Sequence, residues 1–249
     1  MNILYLVPGP MSRGKMGRQE VERRRDVLQA MAFPGTNVAI RDVPEGPPSI
    51  ESAYDELLSV PATLDGILQA ERDGFDAVIL GCFGDPGLEA ARELVTIPVI
   101  GPGETSLLTA AGLGHRFSVV TILDNVVASQ EHQAHRAGVL DKLASVEAIG
   151  IPVLDLMNDR ATTVAGVVDA GRRAIERHRA DTLMLGCMTL SFMGLGAEVS
   201  RALGVPVLEA NAVALKAAEA QVALGIAHSK VAFPRPPKLP EPRPTEVVA

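Results

Sequence analysis

The chain holds two cysteines, Cys82 and Cys187, and each closes a copy of one short apolar run: DAVILGC at 76–82 and DTLMLGC at 181–187. A cysteine side chain can take a proton from carbon as the thiolate and return one as the thiol. Two of them on opposite faces of one carbon perform a two-base inversion, which needs no cofactor. The same residues suit a second chemistry, in which one thiolate adds to the double bond of an unsaturated diacid and is later expelled, giving cis–trans isomerisation. The non-catalytic reading is a small-molecule binding module in which both thiols merely pack, since free cysteine is among the most buried residue types. The equivalence of the two positions favours a joint chemical role.

The elements that must position these thiols are short apolar runs alternating with stretches of helical period, the pattern of an α/β protein with parallel sheets. The predicted strands are 2–7, 37–42, 77–81, 99–100, 117–121, 151–156, 182–186 and 207–208. The predicted helices include 16–32, 61–73, 86–94, 126–137, 162–179, 195–203 and 212–224. Each cysteine thus follows a strand at its C-terminal end, where open α/β sheets place their ligands and where a helix N-terminus favours the thiolate. Asp85 followed by Pro86 is predicted to cap the helix that begins there. Gly84 leaves room for a substrate to approach the backbone.

The repeat extends beyond the cysteines. TIPVIGPGETSLLTAA at 96–111 returns as GVPVLEANAVALKAA at 204–218, and NILYLVPGP at the start has a counterpart in RFSVVTILD at 116–124. Three matches in one order at nearly one offset indicate an internal duplication. Two such halves around a pseudo-two-fold axis would bring the cysteines face to face across a cleft. Thr121 ends the strand that matches the N-terminal one and is a cleft candidate. Thr189, two residues after Cys187, is placed either to donate its hydroxyl to a substrate oxygen or to cap a helix.

LGCFGDPGLEAAREL and PVIGPGETSLLTAAGLGHRFSVVT, together with LGCMTLSFM and GVPVLEANAVALKAAEA, resemble the aspartate/glutamate/hydantoin racemase superfamily, nearest its hydantoin and allantoin racemase branch. The resemblance covers about residues 75–230 and implies two similar α/β domains, each with a mostly parallel four-stranded sheet and the active site between them. It implies a first domain of 1–98 plus 208–249 and a second of 99–207, the C-terminal helix returning to the first. It also implies Cys82 and Cys187 as the acid/base pair and places Glu104 and Thr105, in GPGETS, near the cleft. The chain departs from the branch in two places. Hydantoin racemases carry an asparagine-containing loop after the first strand, where this chain reads VPGPMSRG at 7–14, leaving Ser12 as the polar side chain. After the second cysteine the branch has Ala-Gly, where this chain has Met188 and Thr189. Proline surrenders a backbone donor and methionine offers an apolar contact, so a hydantoin-like or amino-acid-like substrate with an apolar substituent, or one recognised mainly by backbone groups, is expected. Relatives that decarboxylate malonates keep one catalytic cysteine, and the second thiol here counts against that reaction.

Composition narrows the partners. The formal net charge of −7 and an aromatic content of 3% argue against nucleic acid or an anionic membrane as partner. No apolar run has the length of a membrane span, and MNILYLVPGP lacks the basic start of a secretory signal, so a cytoplasmic location is expected. His132 and His135 lie one helical turn apart with no third ligand in view, and no metal is expected. Phosphate-binding glycine loops are absent, and none of the five lysines has a Schiff-base setting, so no cofactor is expected. VERRRD at 21–26 reads as a solvated helix face or a subunit contact, and a homo-oligomer acting on a small molecule is expected. The tail from 233, with six prolines in 17 residues, reads as a polyproline-like extension.

Overall fold

A computed structural model describes residues 1–239. In chain order its elements are β1 Asn2–Val7, α1 Gly17–Met31, β2 Asn37–Asp42, α2 Ala53–Arg72, β3 Ala77–Leu80, α3 Leu88–Leu94 and β4 Val99–Ile100. There follow α4 Pro102–Leu113, β5 Phe117–Thr121, α5 Val127–Arg136, β6 Leu143–Ala148, α6 Arg160–His178 and β7 Thr182–Leu185. The last are α7 Met188–Phe192, α8 Gly196–Leu203, β8 Val207–Glu209 and α9 Ala210–Leu224. Two four-stranded, all-parallel sheets result, in the orders β2-β1-β3-β4 and β6-β5-β7-β8. Among the described residues no helix is long and apolar enough to cross a membrane.

β1 and β3, and β5 and β7, are the central strands, covered on both faces, which is why their sequences are continuous apolar runs. Alternate residues of β1 serve different cores. Leu4 and Leu6 pack with Ile67 of α2 and Val78 and Leu80 of β3. Ile3, Tyr5 and Val7 join a core that also holds Phe117, Val119 and Met184 of the second sheet and Leu215 of α9. The helices that follow the last strand of each sheet are exchanged. α4 leaves β4 and packs on β7 and β8, while α9 leaves β8 and packs on β3 and β4, and the two helices touch each other.

Three elements differ from the sequence expectation. The strand expected at 151–156 is a turn, with Val153–Asp155 in one 3₁₀ turn, because Pro152 removes a ladder donor. The strand is β6 instead, a half-exposed edge whose residues Leu143–Ala148 mix polar and apolar side chains. α2 begins at Ala53, not at Pro61: Ser52 caps it by accepting from the Asp55 amide, and Pro61 lies inside it. α3 begins at Leu88 behind Gly87, and Asp85 does not cap it. Part of the proline-rich tail is anchored: the Arg92 guanidinium stacks on Phe233, and Lys230 donates to the carbonyl of Arg92 near the end of α3. Residues 240–249 of that tail lie outside the described residues.

Candidate active site

Cys82 and Cys187 line one cavity at the C-terminal ends of β3 and β7. Neither is in a disulfide. The turn that carries Cys82 starts at Gly81, whose amide donates to the Leu6 carbonyl at 2.7 Å. A Cβ on Gly81 would stand 2.6 Å from that oxygen, so only glycine lets the turn come so close to β1. The equivalent Gly186 amide donates to Val120 of β5 at 2.8 Å. Sequence spacing thus becomes geometry: each glycine fixes its turn to the first strand of its sheet, and each thiol follows by one residue. The cavity is about 100 Å³, room for several water-sized groups, which suits a small molecule. Its walls include Met11, Met16, Pro47, Ile50, Ile122, Val126 and Met188, with Arg24, Glu56, Gln130 and Thr189 as polar points.

Burial pushes both thiols above the ordinary range, so the helix-end stabilisation of thiolate expected from sequence is outweighed. The two surroundings differ. Around Cys187 the amides of Leu190 and Thr189, the Arg24 charge and the Thr189 hydroxyl all favour the thiolate. Around Cys82 the Gly84 amide favours it, while the charges of Asp85, Cys187 and Glu56 oppose it. These charges and hydrogen bonds favour a thiolate at Cys187 over one at Cys82. Arg24 is buried and donates to Thr189 Oγ1 at 2.9 Å and to Glu20 at 2.8 Å. Its guanidinium also stacks on the Phe192 ring, 4.9 Å from the centroid.

The cavity takes in some of the residues singled out from the sequence and leaves others aside. Gly84, Met188 and Thr189 line it with the cysteines. Ser12 does not, although its neighbours Pro8, Gly9 and Met11 do; its amide is turned to Asp42, 2.7 Å away. Glu104 pairs with Arg92 and Thr105 donates to the Gly101 carbonyl, because the first turn of α4 faces Arg92 and Asp85 and not the cavity. Thr121 is fully buried behind the lining, where it accepts from Gln130 Nε2 at 2.8 Å. Asp85 has φ +54°, a left-handed conformation that asparagine and aspartate tolerate better than most. That turn aims its carboxylate at α4, where Oδ1 accepts from the Gly103 amide at 3.0 Å and Oδ2 from the Glu104 amide at 2.7 Å. Asp85 caps a helix, but not the one that follows it in sequence.

Several site residues are not evident from the sequence. VERRRD is solvated at Glu22, Arg25 and Asp26, but Arg24 is 1% exposed and reaches the Cys187 turn from the other sheet. Its signal is the Glu20–Arg24 spacing of four residues, a helical ion pair. Tyr5 is fully buried on β1 within range of both thiols and Arg24, and burial holds its hydroxyl protonated. Glu56 enters the cavity wall because α2 starts early; burial raises its carboxyl above the usual range, against the pull of Arg136. Gln130 and Gln133 form a polar stripe on α5, a helix whose sequence alone marks neither of them for the site. Among the described residues no cluster of histidine, cysteine, aspartate or glutamate could hold a metal ion.

Two parallel α/β sheets each carry a thiol at the equivalent strand end, and both thiols line one cavity. Comparison with known proteins is more specific. The Asp/Glu/hydantoin racemase family matches residues 20–218, and the chain belongs to that family. It is 37% identical to a hydantoin racemase of Pseudomonas sp. (strain NS671) over 186 residues, 75% of this chain and 74% of that one. It is 36% identical to a hydantoin racemase of Rhizobium meliloti over 229 residues, 91% and 92% of the two chains. The crystal structure of allantoin racemase from Pseudomonas fluorescens superposes with a TM-score of 0.87 at 31% identity, covering 100% of both chains. The protein is a racemase, an isomerase of this superfamily.

Proposed function

We propose that the protein inverts the carbon next to a carbonyl in a hydantoin-like cyclic amide that carries an apolar substituent, with Cys82 and Cys187 as the two acid/base groups. The observation that carries this is the pair of thiols at equivalent strand ends, both lining one cavity. One thiolate takes the α-proton, and the electron pair moves onto the carbonyl oxygen as an enolate. The opposite thiol then gives its proton to the other face of the carbon, leaving a thiol and a thiolate in exchanged places. For one hand Cys187 takes the proton and Cys82 gives one; for the other hand the roles reverse. Hydrogen-bond donors aimed at the carbonyl oxygen hold the developing enolate.

The substrate class follows the hydantoin racemases that this chain resembles at 36–37% identity and the lining of the cavity. The apolar walls formed by Met11, Pro47, Ile50 and Met188 suit an alkyl or aryl substituent.

The test is α-proton exchange in deuterated water on both hands of 5-isopropylhydantoin, allantoin and aspartate. Solvent deuterium should enter at the inverted carbon, with 5-isopropylhydantoin turned over faster than allantoin and aspartate inert. Cys82→Ser and Cys187→Ser should each lower inversion by at least about 10²–10⁴-fold, the usual weight of one acid/base group. Each should still exchange the proton of one hand, a different hand in each variant. Near wild-type inversion in either variant would replace this scheme with a single-cysteine reaction.

A further inference from the structure

The two glutamines of α5 hold both cysteine turns with one pattern of bonds. Gln133 Nε2 donates to the Phe83 carbonyl, one residue after Cys82, and to Asp85 Oδ2, each at 2.8 Å. Gln130 Nε2 donates to the Gly186 carbonyl, one residue before Cys187, at 2.9 Å, and to Thr121 Oγ1 at 2.8 Å. Both side chains are 4% exposed, so these bonds do not compete with water. Residues three apart on a helix are neighbours on one face. One turn of one helix therefore grips the Cys82 turn of the first sheet and the Cys187 turn of the second. The fit on the Cys82 side is close: a Cβ on Gly103 would stand 2.0 Å from the Phe83 oxygen and 2.1 Å from Gln133 Nε2.

We infer that Gln130 and Gln133 are positioning residues that set the separation of the two thiols across the substrate. The inference rests on the two-thiol reading above. A two-base inversion needs both sulfurs within reach of one carbon, one on each face, and small displacements of a reacting group carry large rate costs. The sheets alone do not fix that separation, because Cys82 and Cys187 belong to different sheets. A rigid helical rung bonded to the backbone beside both does. Gln133 governs the approach of Cys82, and Gln130 that of Cys187.

The experiment uses the full chain with the separate hands of 5-isopropylhydantoin in deuterated water, and reads inversion and exchange without inversion for each. Gln133→Met keeps the side-chain length and removes the amide. Its inversion should fall at least tenfold, while exchange without inversion survives for the same hand that survives in Cys82→Ser. Gln130→Met should leave the other hand, as in Cys187→Ser. Thr121→Val removes the Gln130 bond to Thr121 and the long Thr121 bond to the Gly186 carbonyl at 3.4 Å but leaves the Gln130 bond to Gly186, so it should give a weaker form of the Gln130→Met pattern. Gln133→Asn, which keeps the amide and shortens its reach, should repeat the Gln133→Met pattern and carries the test if the methionine variant does not fold. Equal loss for both hands in the Gln130 and Gln133 variants, or inversion near wild type, would overturn the inference while the cysteine variants kept their opposite hands. If the cysteine variants themselves show no opposite hands, it is the two-thiol reading that fails.

Discussion

At the scale of single residues the two thiols are alike in place and unlike in surroundings. Arg24, the Thr189 hydroxyl and two amides favour a charge on Cys187, whereas Asp85 and Glu56 oppose one on Cys82. Both thiols are raised by burial, so the thiolate population at neutral pH is small and grows as pH rises. Inversion should therefore climb on the alkaline side of neutrality. In an ultraviolet titration of the thiolate band, the first step should vanish in Cys187→Ser and persist in Cys82→Ser; the reverse would mean that Arg24 does not act on Cys187. Arg24→Met tests the source of the asymmetry. It deprives the buried Glu20 of one partner and leaves it Arg23, so thermal or denaturant unfolding should show a loss of up to about 3 kcal/mol. The first thiolate step should move to higher pH in the same variant, since a charge that favours the thiolate is gone.

At the scale of elements, the Cys82 turn is tied to α4 through Asp85, and that tie depends on pH. Burial pushes the Asp85 carboxyl from 3.8 up to about 7, against the pull of the Glu104 and Gly103 amides and Gln133. The folded state thus holds this proton more tightly than the unfolded one. The stability it contributes is full below about pH 4, declines as pH rises from about 4 to 7, and is gone above that. Asp85→Asn stays neutral throughout. The stability difference between wild type and Asp85→Asn, from urea midpoints across that range, should move by a few kcal/mol toward the variant as pH rises, about 1.4 kcal/mol for each tenfold change in proton affinity between the folded and unfolded chain. A flat difference would mean that Asp85 is charged throughout. The sequence announces that Asp85 is a cap, but not of which helix, because the left-handed turn at Asp85 sends its carboxylate to a helix that starts 17 residues later. The same limit explains the other misses. Strands covered on both faces are legible as apolar runs, while the edge strand β6 is not. Thr121, Glu104 and Thr105 stand at the right ends of the right elements but point elsewhere, and Arg24 meets Thr189 across 165 residues of chain. Local pattern states an element's period and ends; it is silent about which face meets a distant partner.

At the scale of the molecule, the duplication read from the sequence is present as two like sheets, yet the halves are not separable units. α4 and α9 each leave one sheet to cover the other, and one core draws Ile3 and Tyr5 from the first sheet together with Phe117 and Met184 from the second. Neither sheet can lose its packing without uncovering an apolar face of its neighbour. Two domains joined by a simple linker would be free to melt separately. This arrangement should melt once, as a single calorimetric transition whose van't Hoff and calorimetric enthalpies agree. Leu215 of α9 is fully buried in the shared core, and Leu215→Ala removes methyl groups from the contact of α9 with both halves. It should cost about 2–5 kcal/mol and lower that one transition as a whole. If the variant instead split the melt in two, with one peak unmoved, the sheets would be stable alone, and the thiol separation would rest on the α5 rung without help from the shared core.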